Sequence, residues 1–268
     1  MRIGKIIAFL TVISLSFSFL TSCGGKLDKR LDKAEEHFRS NPYSVKIAFD
    51  FDASDDEISG IFSQLERNVT TVLFDGTSFK SYNVMSIDTG DTEYTFHTTH
   101  TVVNGTVYYN VSYAADGVPV IPNKTYSKLT ADQMNTLAHR VTYVGGVTAD
   151  GFANRTETKI DKKTVSILYT DASAEVNEAL RRAMSLLFIG SLERAVAGNV
   201  SLELVLEKDL YRYAVIKCDY DVTVNGKAYP VSATIRLDFD FGEEYKVYAP
   251  DDALEYTLVD PEDVMGVK

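Results

Sequence analysis

Five acidic residues, Asp50, Asp52, Asp55, Asp56 and Glu57, crowd one short stretch, and oxygen ligands on alternate positions are what a calcium loop requires. Such a loop also needs Gly at its sixth position for the turn and Glu at its twelfth as a bidentate ligand. Counted from Asp50, the sixth residue is Asp55 and the twelfth is Ile61. The cluster therefore reads as a solvated strand edge running into a helix, with Ser54 and Glu57 forming a capping box. Four histidines offer a second route to metal chemistry: His37, His97, His100 and His139. His97 and His100 stand an odd number of residues apart on an expected strand, so they point to opposite faces and cannot act as a local ligand pair. His37 and His139 fall singly on expected helices. An activated nucleophile needs a special backbone setting, such as a Gly-x-Ser-x-Gly elbow, a Ser-x-x-Lys helix start or a cysteine at a helix amino end. None is present, and Gly145-Gly146 lacks the helix and lysine of a phosphate loop. Arg236, Asp238 and Asp240 read as a salt-bridged outer strand face. No catalytic residue, metal ligand or cofactor is expected.

The cysteines carry the one strong chemical signal. There are two, Cys23 and Cys218. Cys218 sits in the alternation Ala214, Ile216, Cys218, Tyr220, Val222, Val224, where a thiol behaves as a small buried hydrophobe. Cys23 closes a different kind of segment: Arg2 and Lys5 give a basic start and residues 6–20 form an uncharged apolar run. That run is shorter than the ~20 residues that span a bilayer as a helix, and it ends in small residues, as a secretion signal does. Leu20-Thr21-Ser22-Cys23 resembles the lipobox of bacterial lipoproteins. The resemblance implies cleavage after residue 22, diacylglycerol on the Cys23 sulfur and an acylated new amino terminus. Two or three acyl chains, at about 0.8 kcal/mol per buried methylene, hold a protein where one does not. The expectation is a lipid-anchored protein on the extracytoplasmic face of a bacterial membrane, with Cys23 as its lipidation site and residues 23–26 as a short tether.

Removing Arg2 and Lys5 from 27 basic residues leaves 25 against 38 acidic ones, a net charge of −13. Such a surface repels nucleic-acid phosphates and anionic head groups. Nucleic-acid binding and peripheral electrostatic membrane binding are therefore not expected, which leaves the lipid as the membrane link. With 16 Tyr, 14 Phe and no Trp among many Val and Thr, the bulk reads as strand.

Residues 27–268 are expected to form one α+β domain. Leu27, Leu31, Ala34 and Phe38 recur at helical spacing, and Asn41-Pro42 stops that helix. Val45, Ile47, Phe49 and Phe51 mark a half-buried strand over 43–52, followed by a helix to about Arg67. Strands are expected at 69–75, 78–87, 93–103 and 106–114, with Asn104-Gly105 as the strongest hairpin signal. A loop from Gly117 to Tyr126 precedes a helix capped by Thr130 and Gln133, and the glycines of 142–156 suggest a mobile loop. In the second half the pattern predicts a strand at 157–170 and a long helix from Ser173 to about Ala197, apolar nearly all round at its middle. Strands at 200–206, 210–224, 228–241 and 244–248 follow, with Asn225-Gly226 as a turn. Ala233, Ile235, Leu237, Phe239 and Phe241 alternate with polar residues as in an antiparallel sheet solvated on one side. Asp52-Ala53-Ser54 and Asp171-Ala172-Ser173 each end a strand and open a helix, which suggests two similar halves, about 43–140 and 157–255.

Asn-x-Ser/Thr sequons at Asn68, Asn104, Asn110, Asn123, Asn154 and Asn199 would mark a eukaryotic secreted glycoprotein, but Thr-rich strands after Asn turns generate them unselected, and the lipobox outweighs them. The amino-terminal amphipathic helix, the meander of alternating strands and the apolar helices resemble LolA/LppX-like extracytoplasmic lipoproteins. The ending Tyr245-Lys246-Val247-Tyr248-Ala249-Pro250-Asp251-Asp252-Ala253 is similar to the last strand and exit of such chains. The resemblance implies a large curved antiparallel sheet with helices on its concave face, and a lipid or other hydrophobic ligand held between the sheet and the 173–197 helix. An envelope interaction module contacting a protein or glycan is the alternative, and hydrolysis would need a cleft with converging carboxylates or a histidine.

Overall fold

The computed structural model describes residues 26–265 except 54, 56–58, 61, 64–65, 67–68, 89–90, 120–121, 135–136, 138–146, 148, 188–193 and 225–226. Its framework is one open sheet. Helix α1 (Lys26–Ser40) leads into β1 (Tyr43–Ala53), β2 (Val69–Phe74), β3 (Phe79–Asp88), β4 (Glu93–Val103), β5 (Thr106–Ala115), β6 (Val118–Pro119) and β7 (Asn123–Lys128). The second half contributes β8 (Phe152–Lys159), β9 (Thr164–Ala172), α2 (Ala174–Leu187), β10 (Arg194–Glu207), β11 (Leu210–Val224) and β12 (Lys227–Phe241). Two-residue β13 (Thr257–Leu258) and α3 (Pro261–Met265) end it. Across the sheet the order is β13-β7-β5-β4-β3-β2-β1-β12-β11-β10-β9-β8. Every pairing is antiparallel except β13 on β7. The chain thus meanders outward from its centre in both directions, and β1 and β12, far apart in sequence, pair along eleven residues from Tyr43↔Phe241 to Ala53↔Val231.

Register shows which side chains share a face. Tyr43, Val45, Ile47, Phe49 and Phe51 of β1 lie beside Phe241, Phe239, Leu237, Ile235 and Ala233 of β12. That face, the inner one, continues through Ala214, Ile216, Cys218 and Tyr220 of β11 and Leu202 and Leu204 of β10. All of these but Phe241 are buried, as the two-residue period requires of one apolar side. The outer face carries Lys46, Lys217 and Arg236, and Arg236 forks onto Asp238 at 2.7–3.1 Å while stacking over Tyr213.

Several elements match the sequence pattern closely. Thr130 and Gln133 form the capping box reciprocally, the Gln133 amide donating to Thr130 Oγ1 at 3.3 Å and the Thr130 amide to Gln133 Oε1 at 2.9 Å. Asn104 and Gly105 both take positive φ, 51° and 76°, as the tight β4–β5 hairpin demands. The Ser54/Glu57 box and the Asn225-Gly226 turn lie outside the described residues, although Val224 and Lys227 pair directly.

Other expectations are overturned. The single strand at 157–170 is a hairpin, β8 and β9, turned by Asp161, whose carboxylate accepts the amides of Lys163 and Thr164 at 2.6 and 2.8 Å. The long helix does not reach Ala197: it is described to Leu187, and residues 194–197 belong to β10, because fifteen-residue β11 takes a partner along its length, with a bulge at Gly198/Ser201. The Gly117–Tyr126 loop holds β6 and the start of β7, and of the 142–156 loop residues 152–156 are strand. No strand forms at 244–248: residues 242–256 run as a strap across the outer face. Tyr245 donates to Asp240 at 2.5 Å, the Val247 amide to Asp75 Oδ2 at 3.0 Å, and Tyr256 meets Tyr108 edge-on at 5.5 Å. The ending expected to be the last strand of a carrier is therefore this strap.

Candidate functional site

The inner face divides into a sealed part and an open part. Helix α1 seals the first, because its apolar stripe of Leu31, Ala34 and Phe38 is buried. Phe38 stacks on Tyr43 at 4.4 Å and meets Tyr211 and Phe239 edge-on at 5.8 and 5.7 Å. The helix is tied down at its amino end: Asp28 takes a 2.8 Å bond from Arg155 on β8, and Arg30 donates to Asp209 and to the Lys163 carbonyl, each at 2.7 Å. Beneath it Glu35 accepts from Arg39 at 2.6 Å and Tyr211 at 3.2 Å. Burial dominates there and raises the Glu35 carboxyl above its ordinary value, against the opposing pull of Arg39 and Tyr211. At the far end of β1, where β2 no longer pairs, Glu66 accepts the Phe51 amide at 2.8 Å and Phe62 packs on Phe51.

The open part lies on β3, β4 and β5. Near the strap end the same face is still closed by Phe79, Val102 and Val107. Farther along, the register brings Met85, Phe96 and Tyr113 into one row and Asn83, Thr98 and Val111 into the next. These six are half-buried or exposed, Tyr113 at 37%. Phe96 and Tyr113 stack with centroids 5.6 Å apart. A polar step separates closed from open: Ser81 bonds His100 Nδ1 at 3.3 Å, His100 lies on Tyr109 at 4.6 Å, and Asn83 donates to Thr70 Oγ1 at 2.7 Å. Burial raises the Tyr109 phenol, so it stays a neutral donor. The surface is apolar and aromatic with a hydrogen-bonding margin, suited to an amphipathic molecule.

The residues singled out in sequence fall as follows. His97 and His100 do face opposite ways, His97 bonding Tyr82 on the outer side at 2.7 Å. His37 bonds Asn41 and packs on Phe241, whereas His139 lies outside the described residues. Cys218 is a free, buried thiol bonded to Tyr220 Oη at 3.0 Å, pushed up to about 12 by burial. Cys23 lies outside the described residues. Asp50 and Asp52 are exposed on β1 and Asp55 meets Lys227 at 3.5 Å, while Asp56 and Glu57 are not described. Where the described part of α2 borders the sheet, the cleft is polar, about 340 Å³ lined by Thr170, Asp171, Asn177, Asn199 and Ser201. The side chains of 181–198, which include the apolar helix middle on which the expected ligand site rests, lie outside the described ones.

Sequence reasoning missed the open row on β3–β5 and a basic cleft of about 700 Å³ between α1 and the turns at 159–163 and 208–209. The alternation of β5 showed that Val107, Tyr109, Val111 and Tyr113 share a face, but not that only Val107 is covered. Lysines from three separate segments give no local signal.

No family model matches the chain, and a search of curated proteins found no match. Among solved structures the chain is similar to a β-barrel-like protein of a domain of unknown function, DUF1849, from Brucella abortus. Identity is 8%, 76% of this chain and 98% of that one are covered, and the TM-score is 0.28. It is also similar to an N-terminal dehydratase from the difficidin assembly line, at 8% identity, 85% of each chain covered and a TM-score of 0.14. Both likenesses are distant and say nothing of activity.

Proposed function

We propose that the protein is a lipid-anchored, noncatalytic lipoprotein of the extracytoplasmic membrane face, tethered through Cys23, which holds a lipid or other hydrophobic ligand on the open part of its inner sheet face. The curvature of the sheet and a helix-lined concave side belong to this proposal. One observation supports it above the others: a face buried under α1 on one side of the sheet leaves Met85, Phe96, Val111 and Tyr113 half-buried or exposed on the other. Soluble proteins bury such a row or use it. The site moves from the helix of the second half, where the described cleft is polar, to β3–β5.

Two measurements test the two parts. Full-length protein fractionates with membranes and shifts to the soluble fraction as Cys23→Ala; an unchanged distribution refutes the anchor. Native mass spectrometry with organic extraction finds apolar mass bound near one to one, lost in Phe96→Asp; a ligand-free protein that ignores added membrane lipids refutes the carrier and favours the interaction module.

A further inference from the structure

The basic cleft lies where the tether begins. Its walls are the first turns of α1, the β8–β9 turn and the β10–β11 turn, and six lysines line it: Lys29, Lys33, Lys159, Lys162, Lys163 and Lys208. All six are exposed, and among the described residues only Lys33 stands in an ion pair, with Asp209 at 3.5 Å. The acidic groups of the same walls are already engaged. Asp209 is held by Arg30, Glu157 by Arg155 at 2.8 Å, and Asp161 by the amides of its own turn. A chain with a formal net charge of −11 therefore presents, among its described residues, a cleft whose lysines and Arg30 outnumber its three carboxylates. The cleft is also preorganised. Arg30 clamps both turns to α1, the Lys208 amide donates to the Lys163 carbonyl at 3.1 Å, and Lys208 and Asp209 hold positive φ, 53° and 63°. Ile160, in the same β8–β9 turn as Lys159, Lys162 and Lys163, is 55% exposed. An exposed apolar side chain in a lysine-bearing turn suits a bilayer interface, where methylenes sink and ammonium groups reach phosphates.

We propose that this cleft docks on an anionic bilayer surface, its lysines meeting lipid phosphates and Ile160 of the adjoining turn entering the boundary between head groups and acyl chains. Tether length argues for this occupant: Cys23 stands four residues before Leu27, the first residue of the cleft wall, so about 14 Å of backbone at most separates its Cα from that wall. A protein pinned there cannot hold this face far from the head groups. Net charge averages over the surface and hides such a patch, which is why composition alone argues against membrane electrostatics. The proposal rests on the anchor reading only for position, and docking fixes orientation, lifting the open face of β3–β5 away from the attachment point.

The test removes the anchor. Full-length protein carrying Cys23→Ala is sedimented at subsaturating lipid with phosphatidylcholine vesicles or with mixed phosphatidylcholine and phosphatidylglycerol vesicles, at low and high salt. The leader and the missing acyl chains are then common to every arm. Binding favours the anionic vesicles and weakens with salt. Each lysine near an anionic surface is worth about fivefold, so Lys159→Glu with Lys162→Glu cuts anionic binding by about 25-fold or more. The same change at Lys46 and Lys217 on the outer face leaves it intact, and Ile160→Ser weakens binding to both vesicle types. Equal binding to both vesicles, or equal loss from the outer-face pair, overturns the proposal. So does salt-sensitive binding to RNA or free phosphate without vesicle binding. Failure of membrane fractionation by wild type, with vesicle preference intact, would remove the anchor but not the cleft.

Discussion

The two parts of the inner face share one sheet, one period and one orientation, yet among the described residues only one is fully buried. On β1, β11 and β12 the inward positions are almost all aliphatic or aromatic, and Leu31, Ala34 and Phe38 of α1 close over them. On β3–β5 the inward positions begin as Phe79, Val102 and Val107 and then change to Asn83, Met85, Thr98, Phe96, Val111 and Tyr113, which stay partly in water. Alternation thus tells which way a side chain points, and mixed composition along the inward row tells where the cover ends.

The largest effect that would sharpen this contrast is in the sealed part. Phe38→Ala removes a ring that touches Tyr43, Tyr211 and Phe239, and should cost about 3–5 kcal/mol, seen as a fall in the thermal midpoint of about 10 °C or more. Phe96→Ala on the open part should cost only about 1 kcal/mol, the worth of its pair with Tyr113 beyond burial, while reducing co-purified ligand. Equal losses at the two positions would break the comparison. Cys218, 2% exposed with its thiol pushed up by burial, should resist a thiol reagent in the native protein and react once denatured. The smallest effect concerns Glu35. Its folded pKa lies above the unfolded 4.5, so between these values the native state binds more protons than the unfolded one, and stability from this group falls as pH rises through that window. Glu35→Gln should therefore gain stability relative to wild type on going from below 4.5 to neutral pH, in paired melting curves.

Much of this framework was legible in sequence. Strands β1, β3, β4, β5, β11 and β12 fell within a residue or two of their expected bounds because each carries an apolar row at period two. The margins were not: β7 (Asn123-Lys124-Thr125-Tyr126-Ser127-Lys128), flanked on its far side only by two-residue β13, and edge strand β8 (Arg155, Glu157, Lys159 on its inward side) carry polar residues on both faces, as strands at a sheet margin tend to. The helix and strand on either side of residues 188–193 were merged because a continuous apolar run carries no period of its own, and the pairing of β10 with β11 decided the boundary. The candidate site was least legible. His100, Ser81 and Tyr109, or Lys29, Lys163 and Lys208, become neighbours only through strand register and the placement of α1.

The most direct test of the open face compares two methionines. Met85 stands half-buried in the open row and Met134 is buried at 6%. Mild peroxide should oxidise Met85 well before Met134 in delipidated protein, and returning the extracted lipid should protect Met85 alone. If Met85 resists as Met134 does, or oxidises at the same rate with and without the lipid, the inner face of β3–β5 is not a ligand site.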